Sequence, residues 1–357
     1  MTAYVGLIAG ATGAIGSALA RELGPREDWT VYGASRRRPD DPVEGVHYLS
    51  LDMSDRAHCQ SVLAQYPSIT HVFYCGRASH GEQVLESAED NLLLLDNLLH
   101  GVESAGQSNG APLHHVHLVQ GGKYYGVHIG RFPTPAREED PRAPIENFNY
   151  AQQDYLQDRS RKASWSWSAS RPNTLIHYSP AIARNLVSSL GCYAALCREL
   201  GAALDFPGPM GAFDSLTQLT SIELLARGIA WMSTTDACAN QGFNMTNTDV
   251  FRWRSLWPKI AEAFHMPCGD VRPMRLATTM AHREALWRVI CERYQLKHLQ
   301  LSEVVNWGYL DATLERDWDE VCSHTKSRQF GFHEWDDSEA RLLGLLERYQ
   351  NNHILPR

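Results

Sequence analysis

Between Tyr4 and Gly24 the chain reads YVGLIAGATGAIGSALARELG: a short apolar run, glycines at Gly10, Gly13 and Gly16, then a helical pattern closed by a glycine. This order leaves few folds open. The apolar run predicts a buried strand, and a Gly-x-x-Gly-x-x-Gly turn into a helix implies a following strand that returns beside the first in the same direction. The alternation continues. TVYGAS, VHYLSLD, THVFYCG and HVHLVQG are short and rich in β-branched or aromatic residues, and helical patterns such as SDRAHCQSVLAQY lie between them. Ser54 is the expected N-cap of that helix, and Gly24 has the position of a C-cap glycine. The fold class expected is α/β, a doubly wound parallel Rossmann sheet with a smaller, mostly helical carboxyl-terminal lobe.

Past WSASRP the pattern loosens. Helical stretches such as AIARNLVSSLGCYAALCREL and RWRSLWPKIAEAFHM dominate, with GFNMTN as a short strand between them. Residues 1–175 are expected to form the nucleotide-binding Rossmann domain, with 215–246 returning to it. Residues 176–214 and 247–357 would then build the substrate lobe over the carboxyl edge of the sheet, and the crevice between is the expected ligand site. A formal net charge of −8 argues against nucleic acid or an anionic membrane as partner. A small or neutral molecule is expected instead, and the sequence leaves a homodimer open. The 8 cysteines are scattered without a Cys-x-x-Cys pair, as packing thiols of a reducing compartment would be. MTAYVGLIAGATG carries no basic leader and no apolar run reaches membrane-spanning length, so a cytoplasmic location is expected.

The glycines have separate tasks. Gly10 permits a tight turn, Gly13 lets backbone amides approach a pyrophosphate, and Gly16 lets helix pack on strand, while the helix amino end favours the negative charge. Thr12, Ala14 and Ile15 belong to the same turn. After the second strand, where an NAD-binding sheet usually places an acid, the chain reads ASRRRPDD. Ser35, Arg36 and Arg37 offer a hydroxyl and guanidinium forks suited to a ribose phosphate, so the cofactor expected is NADPH/NADP. At the third strand's end Asp52 can accept from an adenine amine or cap a helix, and Met53 can cover the ring.

GATGAIG, ASRRRP, LDMSD, HVFYCGRA, GGKYYG, NFNYAQQD, WSWSASRPNTLIHYSP, LDFPG and HILP occur in an order that spans nearly the whole chain. Together they resemble the extended or atypical short-chain dehydrogenases/reductases, and more narrowly the progesterone 5β-reductase and iridoid synthase-like group. That resemblance implies NADPH-dependent reduction of a conjugated enone or enal at its carbon–carbon bond, or of a related carbonyl. It also implies Gly76, Gln120, Tyr150 and Leu175 beside the cofactor. In most short-chain dehydrogenases a Tyr and a Lys four residues later share a helix face. Here Tyr150 is followed at that spacing by Asp154. The resembling group moves its lysine to the loop after the fifth strand, which makes Lys123 of GGKYYG the expected partner of Tyr150 in stabilising a developing enolate or alkoxide. The Ser or Thr usual after that strand is replaced by Gly121 and Gly122.

Two departures bear on the substrate. Arg77 stands in CGRA where relatives carry a bulky aromatic, and Asn173 stands in RPN where they carry glycine. An arginine unpaired in an apolar pocket is costly, so Arg77 is expected to meet either a polar substrate or a cofactor phosphate. Other conspicuous features read as structure. His115 and His117 alternate along a buried strand without a carboxylate, the tryptophans of WSWS and FRWRSLWPKI sit at core spacing, and REEDPR is a solvated loop that could form part of a cleft rim. The alternatives are a nucleotide-sugar epimerase or dehydratase, which normally needs the same-helix Tyr and Lys, and a non-catalytic NADPH-sensing regulator.

Overall fold

The computed structural model describes residues 4–78, 86–180, 182–297 and 300–357. Residues 1–3 of the expected leaderless terminus, and Ala181 at the expected start of a helix, fall outside them. In chain order come β1 (Tyr4–Ala9), α1 (Ala14–Leu23), β2 (Trp29–Ser35), β3 (Val46–Ser50), α2 (Arg56–Leu63), β4 (His71–Tyr74), α3 (Ala88–Asn109), β5 (His115–Val119), α4 (Phe148–Ser160) and β6 (Ser166–Arg171). These strands join Gln241–Asn244 in a 7-stranded sheet, ordered Gln241–Asn244, β6, β5, β4, β1, β2, β3. All neighbours are parallel. The order reverses at β1, with β2 and β3 to one side and β4 to β6 on the other. A crevice therefore opens at the carboxyl ends of β1 and β4.

One face of the sheet is covered by α2 and α3 through Cys59, Leu63, Leu95 and Leu99. The other is covered by α1 and the helix Ile222–Thr234 through Leu19, Leu23, Leu225 and Ile229. A separate apolar cluster, with Phe206, Trp257 and Trp287 at its centre, holds the carboxyl-terminal helices together. β7 (Thr174–Ile176) leaves the main sheet and pairs with Leu219–Ser221. It leads into α5 (Leu186–Glu199), whose cap Asn185 accepts from the Val187 amide. That helix starts later than its apolar pattern suggests, because capping at Asn185 overrides the apolar residues before it.

Two caps differ from expectation. Asp55 caps α2, accepting from the His58 amide at 3.0 Å, while Ser54 donates to Asp52. Gly24 does end α1, but at φ −56, an angle open to any residue. It is glycine because a Cβ would lie 2.8 Å from the carbonyl oxygens of Ala20 and Glu44. All eight cysteines are free thiols, and Cys268 is exposed where a packing thiol was expected.

The His-rich strand β5 forms a ladder with the alternating serines of β6. His115 bridges Ser166 and Ser168, both at 2.8 Å, and His117 bridges Ser168 at 2.8 Å and Ser170 at 3.0 Å. Among the described residues no group of acids, histidines or cysteines is arranged to hold a metal. Burial keeps these rings neutral, pushing His117 down to about 3 and His115 well below its ordinary value. Burial also lowers His71 and His177 to about 4. A histidine with a depressed folded pKa contributes stability above its unfolded pKa, about 6.5, and that contribution is lost as pH falls through the folded value. The slope is about 1.4 kcal/mol per pH unit for each such group. The urea midpoint is therefore expected to fall steeply between pH 7 and pH 5. An unchanged midpoint across that range would contradict a neutral ladder.

Candidate active site

The turn after β1 is built for close approach. Gly10 has φ +81, in the left-handed region, and a Cβ there would lie 3.0 Å from the Gly76 amide nitrogen. A Cβ on Gly16 would lie 2.2 Å from the Gly10 carbonyl oxygen, so α1 can begin directly against the turn only with glycine at that position. No side chain caps the amino end of α1 at Gly13. Backbone donors and the positive end of the helix therefore face the crevice, an arrangement that fits a pyrophosphate.

Two cavities meet at Gly13, Cys75, Gly76 and Arg77. The first, about 540 Å³, is lined by Gly10, Thr12, Ser35, Arg36, Asp52 and Met53. Its floor at Gly76 is in contact with Met53, since a Cβ on Gly76 would lie 2.9 Å from Met53 Cε. Asp52 accepts from the Ser54 hydroxyl at 2.7 Å and its amide at 3.0 Å, which hold its carboxyl below the ordinary value. It caps no helix. Arg36 reaches this cavity whereas Arg37 is exposed and does not line it; the Arg37 carbonyl instead accepts from the Ser35 hydroxyl at 2.5 Å. The second cavity, about 480 Å³, is lined by Ala14, Ile15, Gln120, Lys123, Phe148 and Leu175, among others. A dinucleotide has an adenosine-sized space and a nicotinamide-sized space joined at the glycine turn.

Lys123 lies on a 3-10 turn, Gly122–Tyr125, at the carboxyl end of β5. Its Nζ donates to Glu86 Oε2 at 2.9 Å, and Arg77 Nη1 donates to Glu86 Oε1 at 2.9 Å. The Glu86 side chain is 1% exposed. Burial works to raise its carboxyl, but the Lys123 hydrogen bond and the two positive charges outweigh that and hold it below the usual range. Glu86 corrects the either-or reading of Arg77, because the arginine has a protein partner. The signal was the acid of VLESAED that directly precedes the N-cap Ser87 of α3.

The structure does not bring the Tyr150 hydroxyl to this cavity. Tyr150 is buried, donating to the Tyr124 carbonyl at 2.5 Å and accepting from the Ala143 amide at 3.1 Å. Burial raises its pKa. The reason is helical phase: Phe148 lines the cavity, and a residue two positions on projects from nearly the opposite side of a helix. Tyr150 packs edge-on against Tyr124, beneath the Arg142 guanidinium. Arg142 also forms a two-pronged ion pair with Asp154, at 2.6 and 2.8 Å. The helix position where a same-helix lysine would stand is thus an acid already committed elsewhere. REEDPR is more than a solvated loop, since Glu138 accepts from the Asn244 amide at 2.8 Å.

Gln120 is buried, donating to the Asn149 carbonyl and to Gln153, both at 3.1 Å, and accepting from Arg171 at 3.0 Å. Asn173 lines the second cavity with its Nδ2 buried and unpartnered among the described residues. An amide donor so placed suits an oxygen of a bound molecule.

A family model described as a PRISE-like Rossmann-fold domain matches residues 45–309. The chain is 33% identical to an (S)-8-oxocitronellyl enol synthase of Nepeta cataria, over 99% of this chain and 92% of that protein. It is 32% identical to a 3-oxo-Delta(4,5)-steroid 5-beta-reductase of Arabidopsis thaliana, over 99% and 93%. Among solved structures, a Thermus thermophilus UDP-glucose 4-epimerase in complex with NAD superposes with a TM-score of 0.65 at 15% identity, covering 97% of this chain and 99% of that one. At that identity the likeness shows the fold alone. No helix among the described residues is long and apolar enough to cross a membrane. The chain belongs to the PRISE-like Rossmann-fold family and is an oxidoreductase of the short-chain dehydrogenase/reductase type.

Proposed function

We propose that this protein is an NADPH-dependent reductase that delivers hydride to the conjugated carbon–carbon bond of an enone or enal. The observation that carries the reading is Lys123, a cation fixed by buried Glu86 on the wall of the second cavity. When bound, NADPH would supply the hydride. Hydride reaching the far carbon of an enone pushes charge onto the carbonyl oxygen, and a positioned ammonium stabilises that oxygen as an enolate. The unpartnered Asn173 Nδ2 adds a donor in the same cavity. Carbonyl reduction would need a proton handed to an alkoxide, and the phenol expected for that task, Tyr150, is engaged with backbone. Tyr150 is read here as a positioning residue. Its hydroxyl holds the Tyr124 carbonyl, and the α4 cap Asn147 holds the Lys123 carbonyl at 2.7 Å, so the start of α4 fixes the turn that presents Lys123.

The cofactor-binding roles follow the cavities. Gly10, Thr12, Gly13, Ala14 and Ile15 would hold the pyrophosphate, Asp52 and Met53 the adenine, and Gly76, Gln120 and Leu175 the nicotinamide side. Arg36 would meet the ribose phosphate. Arg36→Ala is expected to weaken NADPH by roughly tenfold to a hundredfold with little change for NADH, the loss of one charge-assisted hydrogen bond. Arg37→Ala is expected to do less. Equal NADH and NADPH affinity in the wild type, by calorimetry, would overturn the phosphate role. The function itself is tested by NADPH oxidation across enones, enals, saturated ketones and saturated aldehydes. Consumption with enones or enals supports the proposal, and consumption confined to saturated carbonyls refutes it.

A further inference from the structure

Four cations line the second cavity: Arg77, Lys123, Arg184 and Arg316. The ion pairs among them use two buried carboxylates. Glu86 serves Arg77 and Lys123, and Glu320, 4% exposed, accepts from Arg316 Nη1 through both oxygens at 2.9 Å. Arg184 has no carboxylate partner among the described residues. Its guanidinium instead rests over the Tyr309 ring at 4.9 Å, where cation–π attraction holds it without neutralising it. Its charge is felt at Arg77, whose pKa burial and then Arg184 both depress against the pull of Glu86. A chain with a net charge of −8 has thus gathered, among the described residues, a local excess of positive charge at one cavity, four cations against two carboxylates.

The glycine turn and the amino end of α1 already provide for a pyrophosphate. Arg184 lies between β7 and α5, and Arg316 follows the helix Trp307–Leu314 that carries Tyr309. Both lie outside the strands of the main sheet. The Arg316 hydrogen bonds to Glu320 run from one guanidinium nitrogen, which leaves the other donors of the fork unassigned to protein. A carboxylate matches what two such forks offer, because its oxygens accept from planar donors at short range.

We infer that the substrate is an unsaturated carbonyl compound that carries a carboxylate, held by Arg184 with Arg316 while Lys123 meets the carbonyl oxygen. This rests on the enone reductase reading and adds the substrate class to it. Substrate attraction to such a cavity weakens with salt, since the charges act partly through solvent.

The test uses the full-length protein with NADPH and a matched pair, a cyclohexenone bearing a carboxylate and its methyl ester. The wild type is expected to favour the acid in kcat/KM. In Arg184→Gln the acid-to-ester ratio is expected to fall by about tenfold to a hundredfold, mainly through KM, with NADPH affinity retained. Arg184→Lys is expected to recover part of the ratio, and Glu320 keeps its partner in both variants. As a readout without turnover, the saturated cyclohexanone carboxylate is expected to bind the NADP complex of the wild type more tightly than that of Arg184→Gln by calorimetry. Reduction of the ester with no preference for the acid would overturn this inference while leaving the reductase reading intact. Reduction of neither would remove the reductase reading itself. Weaker NADPH binding in Arg184→Gln with an unchanged acid-to-ester ratio would assign Arg184 to the cofactor and overturn the substrate role.

Discussion

Lys123→Met is expected to lower turnover of a conjugated enone by about a hundredfold to a thousandfold, the range found when one donor to a developing oxyanion is removed. The variant should fold, because Arg77 remains as partner of the buried Glu86 carboxylate. Tyr150→Phe provides the contrast. If its hydroxyl acted directly as an acid, turnover would fall by about a hundredfold or more. As a residue that only steadies the Lys123 turn, it is expected to cost about tenfold, and to cost almost nothing once Lys123 is already methionine. That second comparison separates positioning from simple loss of fold, which would add to the effect of Lys123→Met. Full activity in Lys123→Met would make it an ordinary paired lysine.

Gly16→Val is expected to weaken cofactor binding by about a hundredfold. The Cβ would meet the Gly10 carbonyl oxygen at 2.2 Å, and backbone is the obstacle, so the turn itself must shift. Displacing the left-handed Gly10 turn by this means involves about 2 to 3 kcal/mol, roughly a hundredfold in affinity. Far-ultraviolet circular dichroism should be close to wild type, since the contact is local to the start of α1. NADPH titration by fluorescence checks it, and wild-type affinity in the variant would contradict the cradle geometry.

The sheet was legible because its signals are local. A glycine turn after an apolar run and β-branched segments at short intervals specify strand and helix with little tertiary input, so β1 to β5 lie close to where the pattern put them. The short strand in GFNMTN was also readable. Caps were less so: Ser54 and Asp55 are both good caps, and only the Ser54 hydrogen bond to Asp52 decides between them. The site was harder. Lys123 could be reached from GGKYYG, but Glu86 is 37 positions away, and its pairing with Lys123 exists only in three dimensions. Tyr150 shows a different difficulty. A tyrosine at a helix start looks the same whether its ring faces the cleft or the Tyr124 turn, and the phase is set by Phe148 taking the cleft side. Arg184, Tyr309 and Arg316 carry no motif and converge only through the carboxyl-terminal packing.

Isotope transfer distinguishes hydride delivery to the β-carbon of an enone from delivery to its carbonyl carbon. Using NADPH deuterated at the transferable position with an enone that the protein reduces, the product is examined by nuclear magnetic resonance. Deuterium is expected at the carbon β to an intact carbonyl, with the α position taking its proton from water. Deuterium on the former carbonyl carbon of an allylic alcohol, with the carbon–carbon bond retained, would contradict that expectation.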